Sequence, residues 1–344
     1  MEEWSYKKAG VNIDAGNEAA RRIRQHLQAT RNLLVRGEEG GFGGLFAFPS
    51  GDFKKPVLVA STDGVGTKLK VAFAMNKHDT VGRDLVNHCV NDILVQGAVP
   101  LFFLDYIGTG KVEPVVIEEI ISGMAAACRE SGCVLLGGET AEMPGFYQEG
   151  EYDLVGTIVG VVEEEKLLPK AEMAAGDLLY GLASSGLHTN GYTLARRIFF
   201  EVLKKKTGAY MRELGRSVGE ELLTPHRCYL PVLKEAIQAG LVKGLAHLTG
   251  GGFIDNIPRI LAGNHRAVVK KNSWPVLPVF QVLQEAGKIP EPEMYRTFNM
   301  GIGMVCIVGP EKEDEFKEKL EAAGENPYRL GYLEEGDKEV VFCS

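Results

Sequence analysis

Short apolar runs that stop at glycine-rich turns recur through both halves of this chain, and they restrict it to folds in which strands feed loops and helices. Val57-Leu58-Val59-Ala60 runs into Ser61-Thr62-Asp63-Gly64-Val65-Gly66-Thr67-Lys68. Cys133-Val134-Leu135-Leu136 runs into Gly137-Gly138-Glu139-Thr140-Ala141-Glu142-Met143-Pro144. In the second half, Leu178 to Ala183 leads to Ser184 to Tyr192, and Gly244 to Leu248 leads to Thr249-Gly250-Gly251-Gly252-Phe253-Ile254-Asp255. A run of about four to eight apolar residues bounded by turn residues has the length of a buried strand. Glycines at its end let backbone N–H groups approach a ligand.

Helical spacing fills the intervals. Ala19, Ile23 and Leu27 follow Asn17, which reads as a cap, while Leu85, Cys89 and Ile93 mark a helix over 80–96 stopped by Gly97 and Pro100. Ile117, Ile120, Ile121, Met124 and Cys128 mark another, opened by Glu113-Pro114. The charged Glu163-Glu164-Glu165-Lys166 with Pro169 and Gly176-Asp177 reads as a boundary, so the expected domains are 1–170 and 171–344. At about 150 residues per domain, two domains also fit the length.

Composition narrows the function classes. Hydrophobic residues at 45% and charged residues at 24% argue against disorder. The net charge of -8, with no basic stripe beyond Arg21, Arg22, Arg24 and Arg31, argues against broad nucleic-acid binding. No apolar run reaches membrane-spanning length and Met1-Glu2-Glu3-Trp4 lacks a basic leader, so a cytoplasmic protein without a membrane partner is expected. Six cysteines without a Cys-x-x-Cys pair read as buried free thiols.

Among the chemistry-bearing stretches, Asp63 and Lys68 offer a carboxylate for magnesium and an ammonium for phosphate, which makes nucleotide triphosphate chemistry the first hypothesis. The glycine spacing is not that of a P-loop, and a strand end with a turn is the other reading. Asp84, His88 and Asp92 recur every four residues and share one helix face, which turns either to an active site or to solvent. Gly37-Glu38-Glu39-Gly40-Gly41-Phe42-Gly43-Gly44 serves either as a flap over phosphates or as a mobile surface loop. Ser184 to Tyr192 reads as an anion site before a helix or as a capped turn. Gly250-Gly251-Gly252 points to close ligand approach or a glycine-only conformation.

Four segments together resemble the phosphoribosylformylglycinamidine cyclo-ligase family, also called aminoimidazole ribonucleotide synthetases, nearly end to end. They are Tyr6-Lys7-Lys8-Ala9-Gly10-Val11 with Ile13-Asp14-Ala15-Gly16; Thr62 to Lys68; Gly137 to Pro144; and His247-Leu248-Thr249-Gly250-Gly251-Gly252-Phe253. Asp92 followed by Gly97-Ala98-Val99-Pro100 resembles the signature of the wider PurM-like superfamily. The resemblance implies an α+β, two-domain PurM-like fold. In it an N-terminal mixed sheet forms a barrel-like core across a homodimer, beside a C-terminal α/β sandwich. It implies ATP and Mg2+ as cofactors and formylglycinamidine ribonucleotide as substrate. It further implies a nucleotide site drawn from Gly41, Gly43, Gly44, Asp63, Gly64, Thr67, Lys68, Asp92, Glu139 and Thr140, with Asp63, Asp92 and Asp255 as metal ligands. For the chemistry, Lys68 is the expected phosphate contact. His188 and His247 lie in loops suited to proton transfer or to structuring a glycine turn. His88 lies outside the pattern and receives no role.

Neighbouring families fit less well. A selenophosphate synthetase requires a reactive residue in the N-terminal glycine-rich segment, and no cysteine precedes Cys89. A hydrogenase maturation factor ends in a reactive cysteine, whereas Cys343 is followed by Ser344. A thiamine monophosphate kinase explains the aspartates but not Gly138 to Pro144. A catalytically silent nucleotide-binding scaffold is the reading from another class.

Overall fold

The computed structural model describes residues 5–37, 41 and 43–343. Helix α1 (Ile13–Gln28) opens at Asn12, whose side chain accepts a hydrogen bond from Ala15 N at 3.4 Å. The expected cap, Asn17, lies inside the helix, because Asn12 satisfies an orphan first-turn donor earlier in the chain. The order continues with β1 (Pro56–Gly64), α2 (Leu69–Met75), α3 (Asp79–Leu94), β2 (Val99–Thr109), α4 (Pro114–Ser131), β3 (Val134–Glu142) and β4 (Tyr152–Glu163).

These strands form one mixed four-stranded sheet in the order β1-β4-β2-β3. β4 runs antiparallel to both β1 and β2, while β2 and β3 are parallel. Two stretches read as loops from the sequence are strand instead. Ser61 to Gly64 continues β1 opposite Ile158 to Val155, and Gly137 to Glu142 continues β3 opposite Leu104 to Thr109. Ladder partners distant in sequence satisfy the backbone groups that glycine alone would leave free. Gly138 has a packing reason as well, since a Cβ there would stand 2.3 Å from Asp105 Oδ1 on β2.

α3 and α4 cover one face of this sheet, with Leu85, Ile93, Ile120 and Met124 fully buried. The opposite face stays half-open: Leu58 is 60% exposed, and Phe102, Leu104, Tyr106, Val155 and Val159 are only partly covered. The segments Val35–Arg36 and Leu45–Phe46 pair as a small ladder beside it, with the Phe46 ring 5.3 Å from that of Phe102.

The second half carries a six-stranded mixed sheet. Its strands are β5 (Leu178–Ala183), β6 (Gly244–His247), β7 (His265–Lys270), β8 (Ile302–Val308), β9 (Tyr328–Glu335) and β10 (Val340–Cys343), in the order β6-β8-β5-β9-β7-β10. Helix α5 (Tyr192–Arg196) starts after the Ser184 to Gly191 turn and passes into a π-helix over Arg197–Val202. The triple glycine leads into α6 (Gly252–Asn256). A Cβ at Gly252 would lie 2.0 Å from Tyr295 O, with φ at +54°, so the glycine-only reading holds there. Among the described residues all six cysteines are free, four of them buried and Cys228 and Cys343 partly covered. No helix of the described residues is long and apolar enough to cross a membrane.

Candidate functional site

The polar face of α3 is where the two halves close on each other. Asn87 Nδ2 donates to His226 O at 2.7 Å, Asn91 Nδ2 donates to Arg227 O at 2.8 Å, and Tyr229 N donates to Asn91 Oδ1 at 2.9 Å. Asp84 Oδ1 accepts from His226 N at 2.6 Å. This face is therefore neither solvated nor wholly open to a ligand. Its lower end is sealed by the segment around His226.

Lys68, the expected phosphate contact, belongs to that sealed end. β1 ends at Gly64, and the turn Gly66–Lys68 swings the side chain inward until it is 0% exposed. Its Nζ lies 2.8 Å from Asp84 Oδ1 and 2.7 Å from Asp84 Oδ2, and it donates to His188 O at 3.1 Å and Thr224 O at 2.7 Å. An ammonium has three donors, and this one has Asp84 and two carbonyls to fill them. Burial pushes the Lys68 ammonium down and the Asp84 carboxyl up, while their mutual attraction opposes both shifts.

The upper end of the face is different in kind. His88 Nε2 lies 2.8 Å from Asp63 Oδ2 on β1 and 3.5 Å from Asp92 Oδ2 one helical turn away. His247, at the end of β6, places Nδ1 2.8 Å from Asp92 Oδ1 and Nε2 2.9 Å from His226 Nε2. Ser61 donates to Asp92 Oδ2 at 3.3 Å. Here the carboxylates remain reachable, the side chains of Asp63 and Asp92 being 43% and 26% exposed. Burial acts to raise the pKa of both acids, but His88 outweighs it at Asp63, and His247 with His88 outweighs it at Asp92, so both are held down. For His88, burial pulls downward and the Asp63 and Asp92 carboxylates overcome it. For His247, burial prevails over Asp92.

His188 sits behind this group at φ +63°, stacked on His226 with ring centroids 4.0 Å apart. Its Nε2 accepts from Ser185 N at 3.3 Å, while burial and the surrounding imidazoles and cations push its pKa far down. His226 carried no sequence signal beyond its identity. His88 did carry one, its four-residue spacing from Asp84 and Asp92.

The expected metal trio is not assembled. Asp255 is exposed on α6 and faces Arg296 at 3.6 Å, and among the described residues it joins no cluster of three metal-capable groups. The expected nucleotide residues also divide. Asp63, Gly64 and Thr67 belong to the β1 edge beside Asp92, with Thr67 Oγ1 3.0 Å from Thr193 Oγ1 on α5. Glu139 and Thr140 lie on β3, the opposite edge of the sheet. Three strand spacings of about 4.8 Å separate those edges by about 14 Å. Gly44 lies with the second group, because a Cβ there would meet Leu136 of β3 at 2.4 Å. Gly41 and Gly43 are exposed, and Glu38, Glu39, Gly40 and Phe42 lie outside the described residues.

At that edge the first and third motif segments meet. Asn12 N donates to Glu142 Oε2, Glu142 Oε1 accepts from Val112 N at 2.7 Å, and Gly10 lies against Pro144. An open cavity of about 470 Å³ is lined there by Lys7, Asn12, Lys111, Glu142 and Tyr147.

The two halves that close on this polar seam each match a family model. Residues 52–162 match the family "AIR synthase related protein, N-terminal domain", and residues 174–344 match "AIR synthase related protein, C-terminal domain". Within that class, the chain belongs to the phosphoribosylformylglycinamidine cyclo-ligase family, ligases of purine biosynthesis. It is 52% identical over 338 residues to the protein of that name from Brevibacillus brevis, covering 98% of both chains. It is 50% identical over 345 residues to that of Syntrophotalea carbinolica, covering 99% of both. Among solved structures it resembles thiamine-monophosphate kinase from Stenotrophomonas maltophilia K279a, with a TM-score of 0.70 at 17% identity, covering 94% of this chain and 95% of that one. It also resembles hydrogenase maturation protein HypE in complex with ATP, with a TM-score of 0.60 at 18% identity, covering 94% and 88%. At such identities these two likenesses concern the fold.

Proposed function

We propose that this ligase cyclises formylglycinamidine ribonucleotide to 5-aminoimidazole ribonucleotide, using ATP and releasing ADP and phosphate. The observation that carries the reading is the full-length identity of about half to relatives bearing the cyclo-ligase name, joined to the partly exposed carboxylates of Asp63 and Asp92 at the seam. ATP use is supported by the ATP complex of a protein with the same fold. The formyl amide oxygen leaves poorly, so transfer of the γ-phosphoryl group to it creates an imidoyl phosphate. The substrate's own amidine nitrogen then attacks that carbon, and phosphate departs as the ring closes. No nucleophilic side chain is needed, and the work of the protein is positioning and charge neutralisation.

Asp63 and Asp92 fit magnesium, which takes oxygen donors and is commonly held by one or two carboxylates together with substrate phosphates. Bound there, the ion neutralises phosphate charge. The chain's own contribution is to keep both carboxylates ionised through His88 and His247. Lys68 acts by fixing α3 against the His188 and Thr224 backbone. Glu139, Thr140 and the flap glycines recognise the nucleotide from the far edge of the sheet.

The protein acts as a cytoplasmic homodimer in this proposal, its half-open apolar sheet face around Leu58 and Phe102 covered by a second copy in a barrel-like core. The domain boundary between residues 170 and 171 belongs to the same proposal and falls between Glu163 and Leu178, outside both sheets. Incubating the protein with Mg-ATP and formylglycinamidine ribonucleotide should yield aminoimidazole ribonucleotide and ADP in equal amounts. ADP formed only with thiamine monophosphate would defeat the reading.

A further inference from the structure

The geometry points to a binding site for one divalent first-row transition-metal ion at the upper end of the seam, made by His88 Nε2, His247 Nδ1 and the Asp92 carboxylate. Asp63 stands at its rim. One ligand atom from each of His88, Asp92 and His247 lies within 4.8 Å of the others. His88 Nε2 is 3.5 Å from Asp92 Oδ2, and His247 Nδ1 is 2.8 Å from Asp92 Oδ1. Two donors on one ion with bonds of about 2.0–2.1 Å stand about 2.9–3.4 Å apart in octahedral or tetrahedral geometry, so small side-chain adjustments seat an ion between them. The imidazoles also approach from different directions, their centroids 5.2 Å apart and their planes inclined by 70°.

The ring nitrogens turned away from Asp92 are already occupied. His88 Nδ1 is 2.8 Å from Thr189 Oγ1, and His247 Nε2 is 2.9 Å from His226 Nε2. His88 Nε2 also faces Asp63 Oδ2 at 2.8 Å, so an entering ion displaces the proton of that contact. With a proton in each of the two outer bonds, His88 Nε2 and His247 Nδ1 then turn lone pairs to the ion, the arrangement that fixes metal-ligating histidines. Two imidazole nitrogens and a carboxylate suit zinc, iron, cobalt or nickel, whereas magnesium prefers oxygen, so an ion held here shares Asp92 with the proposed Mg-ATP position and the two compete for that carboxylate. The partial exposure of Asp92 and Asp63 leaves a way in and room for water on the ion. A buried trio of His188, His226 and His247 also converges. It is the poorer cage, because the Ser185 N–H already occupies His188 Nε2 and leaves the neutral ring's proton on Nδ1.

The test uses the full-length protein stripped with a chelator, without nucleotide or substrate, so it is independent of the proposed reaction. Co2+ is titrated while visible absorption is followed, and metal content is measured after dialysis. The site predicts about one ion per chain, with binding weakened about tenfold or more in His88→Gln and in His247→Gln. Thr189→Val, which removes the hydroxyl bonded to His88 Nδ1 and to His226 Nδ1 but no ligand atom, should also weaken binding about tenfold, and circular dichroism checks that each variant is folded. Three results would overturn the site: sub-stoichiometric Co2+, unchanged affinity in all three folded variants, or binding lost in His188→Gln but normal in His88→Gln.

Discussion

Asp84 and Asp92 stand about two turns apart on one face of α3, and the chain has made opposite uses of them. Asp84 is closed in by Lys68, the His226 backbone and the turn after β1, and its side chain is 0% exposed. Asp92 meets two imidazoles and a serine and keeps 26% of its side chain in reach of solvent. The comparison teaches that a carboxylate's role is set by the cation it faces and by whether a ligand can still reach it. A buried ion pair of the Asp84 kind contributes little net stability, yet losing one member leaves an uncompensated charge.

The largest expected effect lies at the closed end. Lys68→Met strands Asp84 and should lower unfolding free energy by about 3–5 kcal/mol in urea titrations. Adding Asp84→Asn, which preserves an acceptor for His226 N–H, should recover most of that loss. A double variant no more stable than Lys68→Met would break the ion-pair account. At the open end, Asp92→Asn should reduce turnover about a hundredfold while the unfolding midpoint moves little. Parallel loss of stability and turnover would erase the distinction between the ends.

Between them, Asn91→Ala removes bonds to Arg227 O and Tyr229 N and should cost about 1–3 kcal/mol, read by thermal unfolding of the folded dimer or monomer alike. The smallest effect concerns Asp105, a third acid, buried on β2 with no cation paired to it among the described residues. Burial, with Glu139 adding to it, raises its pKa to about 7. The unfolded carboxyl titrates near about 4, so between those values the folded state holds more protons and stability falls as pH rises. Asp105→Asn should therefore raise the melting temperature at pH 8 by about 2–4 °C and have little effect at pH 4. An equal shift at both pH values would remove ionisation as the cause.

Much of this architecture was legible beforehand. The helix predicted over 80–96 is observed as Asp79–Leu94, and the strand expected over 178–183 is Leu178–Ala183. Local periodicity carries such elements. What it could not carry was pairing at long range: Ser61 to Gly64 and Gly137 to Glu142 become strand only because β4 and β2 lie alongside. Lys68 illustrates the same limit, since its burial depends on Asp84, His188 and Thr224 arriving from three other places in the chain. His226 enters the seam through a segment without periodic signal. His88 had the right spacing, and its importance emerged only when β1 brought Asp63 to its other side.

In the proposed function, chemistry resides at the Asp92 end and architecture at the Asp84 end. The direct measurement is product formation from Mg-ATP and formylglycinamidine ribonucleotide by two purified variants, each assayed well below its own unfolding midpoint. Asp92→Asn should be folded and nearly inactive, whereas the Lys68→Met, Asp84→Asn pair should be less stable than the parent but turn over within a few-fold of it. A folded double variant without activity, beside an active Asp92→Asn, would contradict the account and return Lys68 to the phosphates.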